Sequence, residues 1–485
     1  MEGGRQDSVC KTMLPKCIAI QHGSCYLRSV HDEGNGVVIE LGDGGSDGAI
    51  NPRCRFYLEA SKEHDDGGGL MHVRCCHNNK YWVPQQRGQD DGWIIGTADE
   101  PEEDLSKPSC TLFKIILATA ENEQHSIRLG KCVVVLPHSG TPSSRPYLHV
   151  AHGEADVVDA FTFLDLSQQK RLPKYLAFKG DNGKYLGVQD IRVSTRKELD
   201  DDLFLMNSKL LEFKFEDIGD PKVVRTSFTN DDGTVRIKSN CHGKFWRLKA
   251  TFDTTWIRPD SDDNTCDDSD TLFEICKRLP THPSLYLEKR DCLSASDDSI
   301  TQSARLQVEE PIRSRLIYGV KFHLSEARVY TKEVVNVDTR SAVNNSTSTN
   351  TIKLTFTVTD TVTSTWNSSV SVKAGTKTTF KTGIPKIVNG KVEVSAETTY
   401  SHSWGGIVTE TRTRATEYTA RVPAHTKVTV RAVASKGACD IPYSYMQKDV
   451  LLLDGKEVTQ EFHDGIFSGV STDDIKFQVT EEKLL

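Results

Sequence analysis

The sequence predicts an all-β chain: two tandem modules of short strands, then an elongated antiparallel β domain. Three observations predict it. The first 310 residues repeat themselves at an interval of about 160. Gly, Asn and Asp turns punctuate short apolar runs throughout that repeat, as hairpins require. Beyond Pro311 the composition shifts: 30 of the 80 residues from 341 to 420 are Ser or Thr, and Pro385 is the only proline among them. Apolar residues there still alternate with polar ones, which a disordered Ser/Thr linker would not do.

The bulk properties set the frame. A chain of 485 residues is long enough for about three domains. With 37% hydrophobic and 26% charged residues it is globular rather than disordered. No run approaches the roughly 20 apolar residues of a transmembrane helix. The opening residues, Met1 to Asp7, lack the apolar core of a secretory signal, so the expected address is the cytosol of the producing cell. The thirteen cysteines include no CxxC pair, and Cys75-Cys76-His77 and Cys241-His242 lack a second ligand pair at zinc spacing; no metal and no cofactor is expected. The net charge of −8 is uneven: residues 312–485 carry 22 Lys+Arg and 18 Asp+Glu, a net of +4, which leaves −12 on the rest. Basic patches with interleaved aromatics are missing, so nucleic acid is not an expected partner.

The duplication is read from four matched landmarks. Leu14-Pro15-Lys16 recurs as Leu172-Pro173-Lys174. Lys80-Tyr81-Trp82, after Cys76-His77, recurs as Lys244-Phe245-Trp246 after Cys241-His242. Gly92-Trp93-Ile94 matches Thr255-Trp256-Ile257, and Thr111-Leu112-Phe113 matches Thr271-Leu272-Phe273. Common order and common spacing mark a true internal repeat. Within each copy a turn-then-strand signal returns about every 50 residues: Gly23 to Leu27, Asn78 to Trp82 and Leu129 to Val133, then Gly183 to Leu186, Gly243 to Trp246 and Arg290 to Leu293. Three such units per copy predict a β-trefoil, the third unit being the weakest match. The expected modules are 1–165, 166–311 and 312–485, with a partly helical join at 153–170.

Residues 10–310 resemble the amaranthin-like plant agglutinins, through the Lys-Tyr-Trp and Lys-Phe-Trp turns and the paired Leu-Pro-Lys starts. That resemblance implies binding of a galactose/N-acetylgalactosamine glycan of the T-antigen type, at a site between trefoils of two head-to-tail subunits. The side chains support a sugar site independently. A sugar stacks its apolar face on an aromatic ring and offers its hydroxyls to amides and charges. Asn78, Asn79, Tyr81 and Trp82 put both kinds of group on one turn; His242, Trp246 and Arg247 do so in the second copy. The alternative is that Trp82 and Trp246 plug the trefoil cores.

The tail contains two facing amphipathic arms. Val370, Val372, Ala374, Thr376, Thr378, Phe380 and Thr382 alternate with polar residues. A turn region follows from Gly383 to Gly390, with Ile384, Pro385, Ile387 and Val388 as an apolar tip. Val392, Val394, Ala396, Thr398, Tyr400, His402 and Trp404 then alternate in the same way. Each arm is about 13 residues, more than the roughly 9–11 a tilted strand needs to cross a bilayer. One modestly apolar face and one wet face fit a barrel strand. A lone hairpin would leave backbone groups unsatisfied in hydrocarbon, so several copies must close a barrel together. An ordinary hairpin of a soluble sheet has the same alternation.

The stretch from Ala374 to Pro385, then Gly390 to Ser395, and Ser403-Trp404-Gly405 after it, resembles the insertion loop of aerolysin-like pore-forming proteins. The similarity covers 312–485. It implies a long twisted antiparallel sheet, a homo-oligomer, a target membrane and a transmembrane β-barrel. Lectin heads on aerolysin-like tails are a plant arrangement, so the implied role is defence. The fold expected is therefore all-β: two tandem β-trefoils followed by an elongated antiparallel aerolysin-like β domain.

Other motifs carry less. Gly44-Gly45-Ser46-Asp47-Gly48 matches G-x-S-x-G but runs into a Pro52 loop rather than a helix. The acidic run Asp260 to Asp270 lacks the Gly and terminal Glu of a calcium loop. Asn344, Asn345 and Asn367 stand in N-x-S/T sequons. No acid/base pair or activated nucleophile is visible, so an enzyme is not expected. Two readings remain: a sugar-targeted pore former, and a non-lytic lectin whose tail only oligomerises it for avidity.

Overall fold

A computed structural model describes residues 14–483, except 35, 44, 64–69, 86–91, 120–123, 130–131, 136–146, 152–158, 167–170, 198–199, 231–233, 252–253, 264, 266–267, 277–285, 290–305, 369–376 and 389–390. The chain divides into two compact units, one holding residues 1–76 and 80–169, the other 77–79 and 170–485.

The first unit contains twelve strands: β1 (Cys17–His22), β2 (Cys25–Asp32), β3 (Gly36–Gly42), β4 (Arg55–Ala60), β5 (Leu70–Cys75), β6 (Tyr81–Gln85), β7 (Gly92–Ala98), β8 (Leu112–Thr119), β9 (Gln124–Leu129), β10 (Cys132–Val135), β11 (His149–Ala151) and β12 (Phe161–Asp165). Six of them close a barrel, in the cycle β1–β4–β5–β8–β9–β12 and back to β1, every contact antiparallel. The hairpins β2–β3, β6–β7 and β10–β11 remain, and β7 pairs with both β3 and β11. A closed six-stranded barrel with three hairpins is a β-trefoil. Closure removes the sheet edges that an open sheet would expose. The expected partly helical join at 153–170 is corrected in part: Phe161–Asp165 is the strand that closes the barrel, because Phe161 and the half-buried Phe163 belong in the core.

Trp82 fills the centre of this barrel at 0% exposure. Phe56 meets its ring edge-on at 5.1 Å and Phe113 at 5.9 Å, the tilted geometry that aromatic quadrupoles prefer. Gly96 pairs with Trp82 across the β6–β7 ladder, and any side chain there would collide with the Cys75 Sγ, 2.9 Å from an added Cβ.

The second unit begins with β13 (Tyr175–Lys179), β14 (Tyr185–Lys197), β15 (Asp200–Phe215), β16 (Arg225–Thr229), β17 (Val235–Ser239), β18 (Lys244–Thr251), β19 (Thr254–Ser261), β20 (Phe273–Cys276), β21 (Tyr286–Lys289) and β22 (Gln307–Glu309). They repeat most of the scheme. β13–β16, β16–β17, β17–β20, β20–β21 and β22–β13 correspond to barrel contacts of the first copy. β14–β15 and β18–β19 correspond to its first two hairpins. The third hairpin would fall at 290–305, outside the described residues. Trp246 takes the place of Trp82, 1% exposed beside Phe178 at 5.6 Å. Its indole donates to Ser239 Oγ at 3.0 Å.

The tail follows with β23 (Ile312–Phe322), β24 (Arg328–Asn344), β25 (Asn350–Ser368), β26 (Lys377–Thr382), β27 (Pro385–Val388), β28 (Lys391–Val394), β29 (Thr398–Ser403), β30 (Ile407–Val422), β31 (Thr426–Leu451) and β32 (Glu457–Lys483). The sheet order is β29-β26-β23-β31-β32-β25-β30, with β24 also on β31. β32 has 27 residues, roughly 90 Å at about 3.3 Å per residue. The Ser/Thr enrichment is compatible with strand because threonine is β-branched and suits a pleated surface. The alternating apolar residues face inward: Phe356 is fully buried with Ile352 and Leu354 packed against the same cluster, and Phe477 meets Phe356 at 5.2 Å.

Candidate functional site

Residues 377–403 form one hairpin on the tail. β26 and β29 pair from Lys377↔Ser403 to Thr382↔Thr398. β27 and β28 continue the ribbon from Pro385↔Val394 to Val388↔Lys391, their register displaced by one residue. The expected turn at 383–390 is thus corrected: Pro385–Val388 is strand, while 389–390 lie outside the described residues. Val370, Val372 and Ala374 also lie outside them.

The even face of the outer ladder turns inward. Phe380 is fully buried, as is Thr378, while Thr382 is 5% exposed. Tyr400 and Trp404 are half-buried against the same cluster, and so are Ile384 and Val392 at the inner ladder. Phe380 stacks on Tyr400 at 5.6 Å and on Trp404 at 5.9 Å. Trp366 of β25 meets Phe380 at 5.0 Å, Tyr443 at 5.3 Å and Phe467 at 5.0 Å. The odd face is wet: Lys381 and Glu397 are exposed and 3.6 Å apart. At the tip Pro385 is buried and Ile387 is 6% exposed. Val394, 39% exposed, and Ala396, also exposed, look outward.

The hairpin's backbone hold on the sheet is short. β26 joins β23 in parallel through three register pairs, Arg315↔Thr378, Leu316↔Thr379 and Ile317↔Phe380. β29 is the edge of the sheet. One buried group also opposes docking: the Tyr400 hydroxyl is enclosed with no hydrogen-bond partner among the described residues, and burial pushes its pKa upward. Such an unmade bond costs about 1–3 kcal/mol. Trp366 and the β23 segment from Arg315 to Ile317 are parts of this site that sequence reasoning missed. The lone Trp in a Thr/Ser run was the available signal.

The expected sugar turns divide. Trp82 and Trp246 have no free ring face, so neither is a stacking platform in this structure; both are core plugs. Tyr81, 6% exposed, donates its hydroxyl to Glu59 Oε2 at 2.9 Å, and Arg74 Nε donates to Glu59 Oε1 at 2.7 Å. Asn78 is buried at 1%. Asn79 is half-buried with φ of 59°, the left-handed conformation that asparagine tolerates in turns. In the second copy His242 is half-buried, 3.9 Å from Asp190, and Arg247 Nε donates to Asp260 Oδ1 at 2.7 Å. Asn79, His242 and Arg247 are half-buried.

The described residues combine a β-trefoil pair with an elongated antiparallel sheet that carries an amphipathic hairpin. The agglutinin domain model matches residues 12–138 and 170–282, and the aerolysin toxin model matches residues 311–450. The chain is an agglutinin–aerolysin fusion. None of the curated proteins matches it. Among solved structures, lamprey immune protein is 12% identical over 65% of this chain and 91% of its own, with a TM-score of 0.31. The aerolysin-like protein of Bombina maxima is 16% identical over 34% of this chain and 99% of its own, with a TM-score of 0.23. Parasporin-2 of Bacillus thuringiensis, a toxin that recognizes cancer cells, is 19% identical over 35% of this chain and 73% of its own, with a TM-score of 0.19. Likenesses this weak decide nothing about mechanism. No helix among the described residues is long and apolar enough to cross a membrane, which leaves a strand-built crossing open.

Proposed function

We propose that this protein is a glycan-directed pore former. Its trefoils, at 1–165 and 166–311, bind a galactose/N-acetylgalactosamine glycan of the T-antigen type on a target membrane. Its tail, at 312–485, then oligomerises and releases residues 370–404 as a barrel hairpin. The producing cell keeps the protein in its cytoplasm, as a plant defence store, and no catalysis is involved. The observation that carries the reading is the docking of the hairpin: a two-faced ribbon held by three backbone pairs and an apolar face. That face can exchange the tail's core for lipid while the other stays in water.

The test is dye release from vesicles bearing a glycolipid with terminal galactose and N-acetylgalactosamine. Release is expected with the glycolipid, little without it, and inhibition by the free disaccharide. A Leu316→Cys/Thr379→Cys pair, at register partners of β23 and β26, should abolish release until reductant is added, while glycan binding continues. If the unlocked protein releases no dye from any vesicle it binds, the non-lytic oligomeric lectin is the better reading.

A further inference from the structure

Residues 370–404 carry five lysines, no arginine, two glutamates and no aspartate, a net of +3 in a chain whose total is −8. Lys373 lies outside the described residues; the other six charges are placed by the two ladders. Register partners in an antiparallel pair share a face, and successive pairs alternate between faces. The pairs Lys377↔Ser403 and Lys381↔Thr399 therefore lie on the face opposite to Phe380↔Tyr400. At the tip, Lys386↔Glu393 and Val388↔Lys391 lie on the face opposite to Ile387↔Val392. Lys381, Lys386, Lys391, Glu393 and Glu397 are exposed. Among the described residues, the face that carries Phe380, Ile387 and Val392 has no Lys, Arg, Asp or Glu.

The two signs do not cancel along the ribbon. On the outer ladder, Glu397 lies 3.6 Å from Lys381, and Lys377 stands opposite the neutral Ser403. At the tip, Glu393 is the register partner of Lys386, and Lys391 stands opposite the neutral Val388. Each end of the described ribbon thus has two lysines and one glutamate on its wet face, an excess of one positive charge.

We propose that the pore selects for small anions. The inference rests on the pore-forming reading and adds what passes through. Hydrocarbon excludes a charged face, so in a closed barrel this face lines the water. Symmetry repeats each excess once per subunit, which makes two positive rings, one near the hairpin tip and one at its outer end. Rings of lysine concentrate anions and repel cations. Salt screens them, so the preference weakens as ionic strength rises.

The experiment uses the full chain in planar bilayers that contain the galactose/N-acetylgalactosamine glycolipid, with a KCl gradient across the membrane. The zero-current potential is expected to take the sign of the chloride equilibrium potential, and to shrink when both salt concentrations are raised in the same ratio. The double variant Lys377→Glu/Lys391→Glu reverses the excess at both ends and is expected to turn the preference toward potassium. The pair Lys386→Gln/Glu393→Gln removes one charge of each sign and is expected to leave the potential as in the parent. A parent potential of the potassium sign overturns the inference and leaves pore formation standing. So does a Lys377→Glu/Lys391→Glu variant that keeps the parent's potential. Should that variant not fold, the sign and salt dependence of the parent's potential decide. Absence of any current from bilayers that bind the protein overturns the pore-forming reading itself, and this inference with it.

Discussion

At the scale of single residues, Trp82 and Tyr400 have opposite effects. Trp82 holds Phe56 and Phe113 apart at the centre of the first barrel. Trp82→Ala should cost about 3–5 kcal/mol, the range for truncating a buried aromatic. Calorimetry of the full chain should show the first unit's transition falling while the tail's is unmoved. A selective loss of sugar binding with normal melting would instead restore Trp82 as a contact. Tyr400 is a half-buried ring whose enclosed hydroxyl has no partner among the described residues. Tyr400→Phe keeps the stack on Phe380 and removes the desolvation cost, so docking should strengthen by about 1–3 kcal/mol. Slower amide exchange across Thr398–Ser403 and slower dye release would both report it. The repeated Lys-aromatic-Trp turns were legible because a trefoil core demands a large plug at the same place in each copy. Which way the rings pointed was not, since stacking and plugging call for the same residue type.

At the scale of elements, the hairpin's alternation was legible and its partner was not. Period-2 patterning assigns Phe380 and Tyr400 to one face whatever that face covers. Covering by Tyr443 and Phe467 depends on strands far away in the chain, and the parallel β23–β26 contact leaves no local trace. The two-stranded tip was hidden too, because Gly383 and Pro385 mark turns in most contexts. Val394 gives the clean test of this element, being partly exposed in the docked hairpin. Val394→Arg should be nearly neutral for the soluble fold, but costs roughly 2–4 kcal/mol per strand at a bilayer midplane. Symmetry multiplies that cost by the number of subunits. Vesicle permeabilisation should therefore stop while melting and glycan binding stay as in the parent; undiminished release would mean that Val394 never meets lipid.

At the scale of the whole molecule, the duplicated head was readable because repeats declare themselves without reference to contacts. The sheet order of the tail was not, because it interleaves strands out of sequence. β32 is last of the tail strands in the chain, yet it lies inside the sheet, between β31 and β25. It pairs along β31 from Thr426↔Lys483 to Val450↔Glu457 and along β25 from Thr363 to Ser368. Synthesis runs the other way, and domains that emerge first fold first. Both trefoils have left the ribosome while the tail still lacks its inner strand. Until Glu457 to Lys483 are made, β31 has one flank open, and Phe467 is missing from the cluster on which the hairpin rests. A nascent chain therefore has both trefoils before its tail sheet is complete, and the bed on which the hairpin rests takes shape only once β32 has been translated.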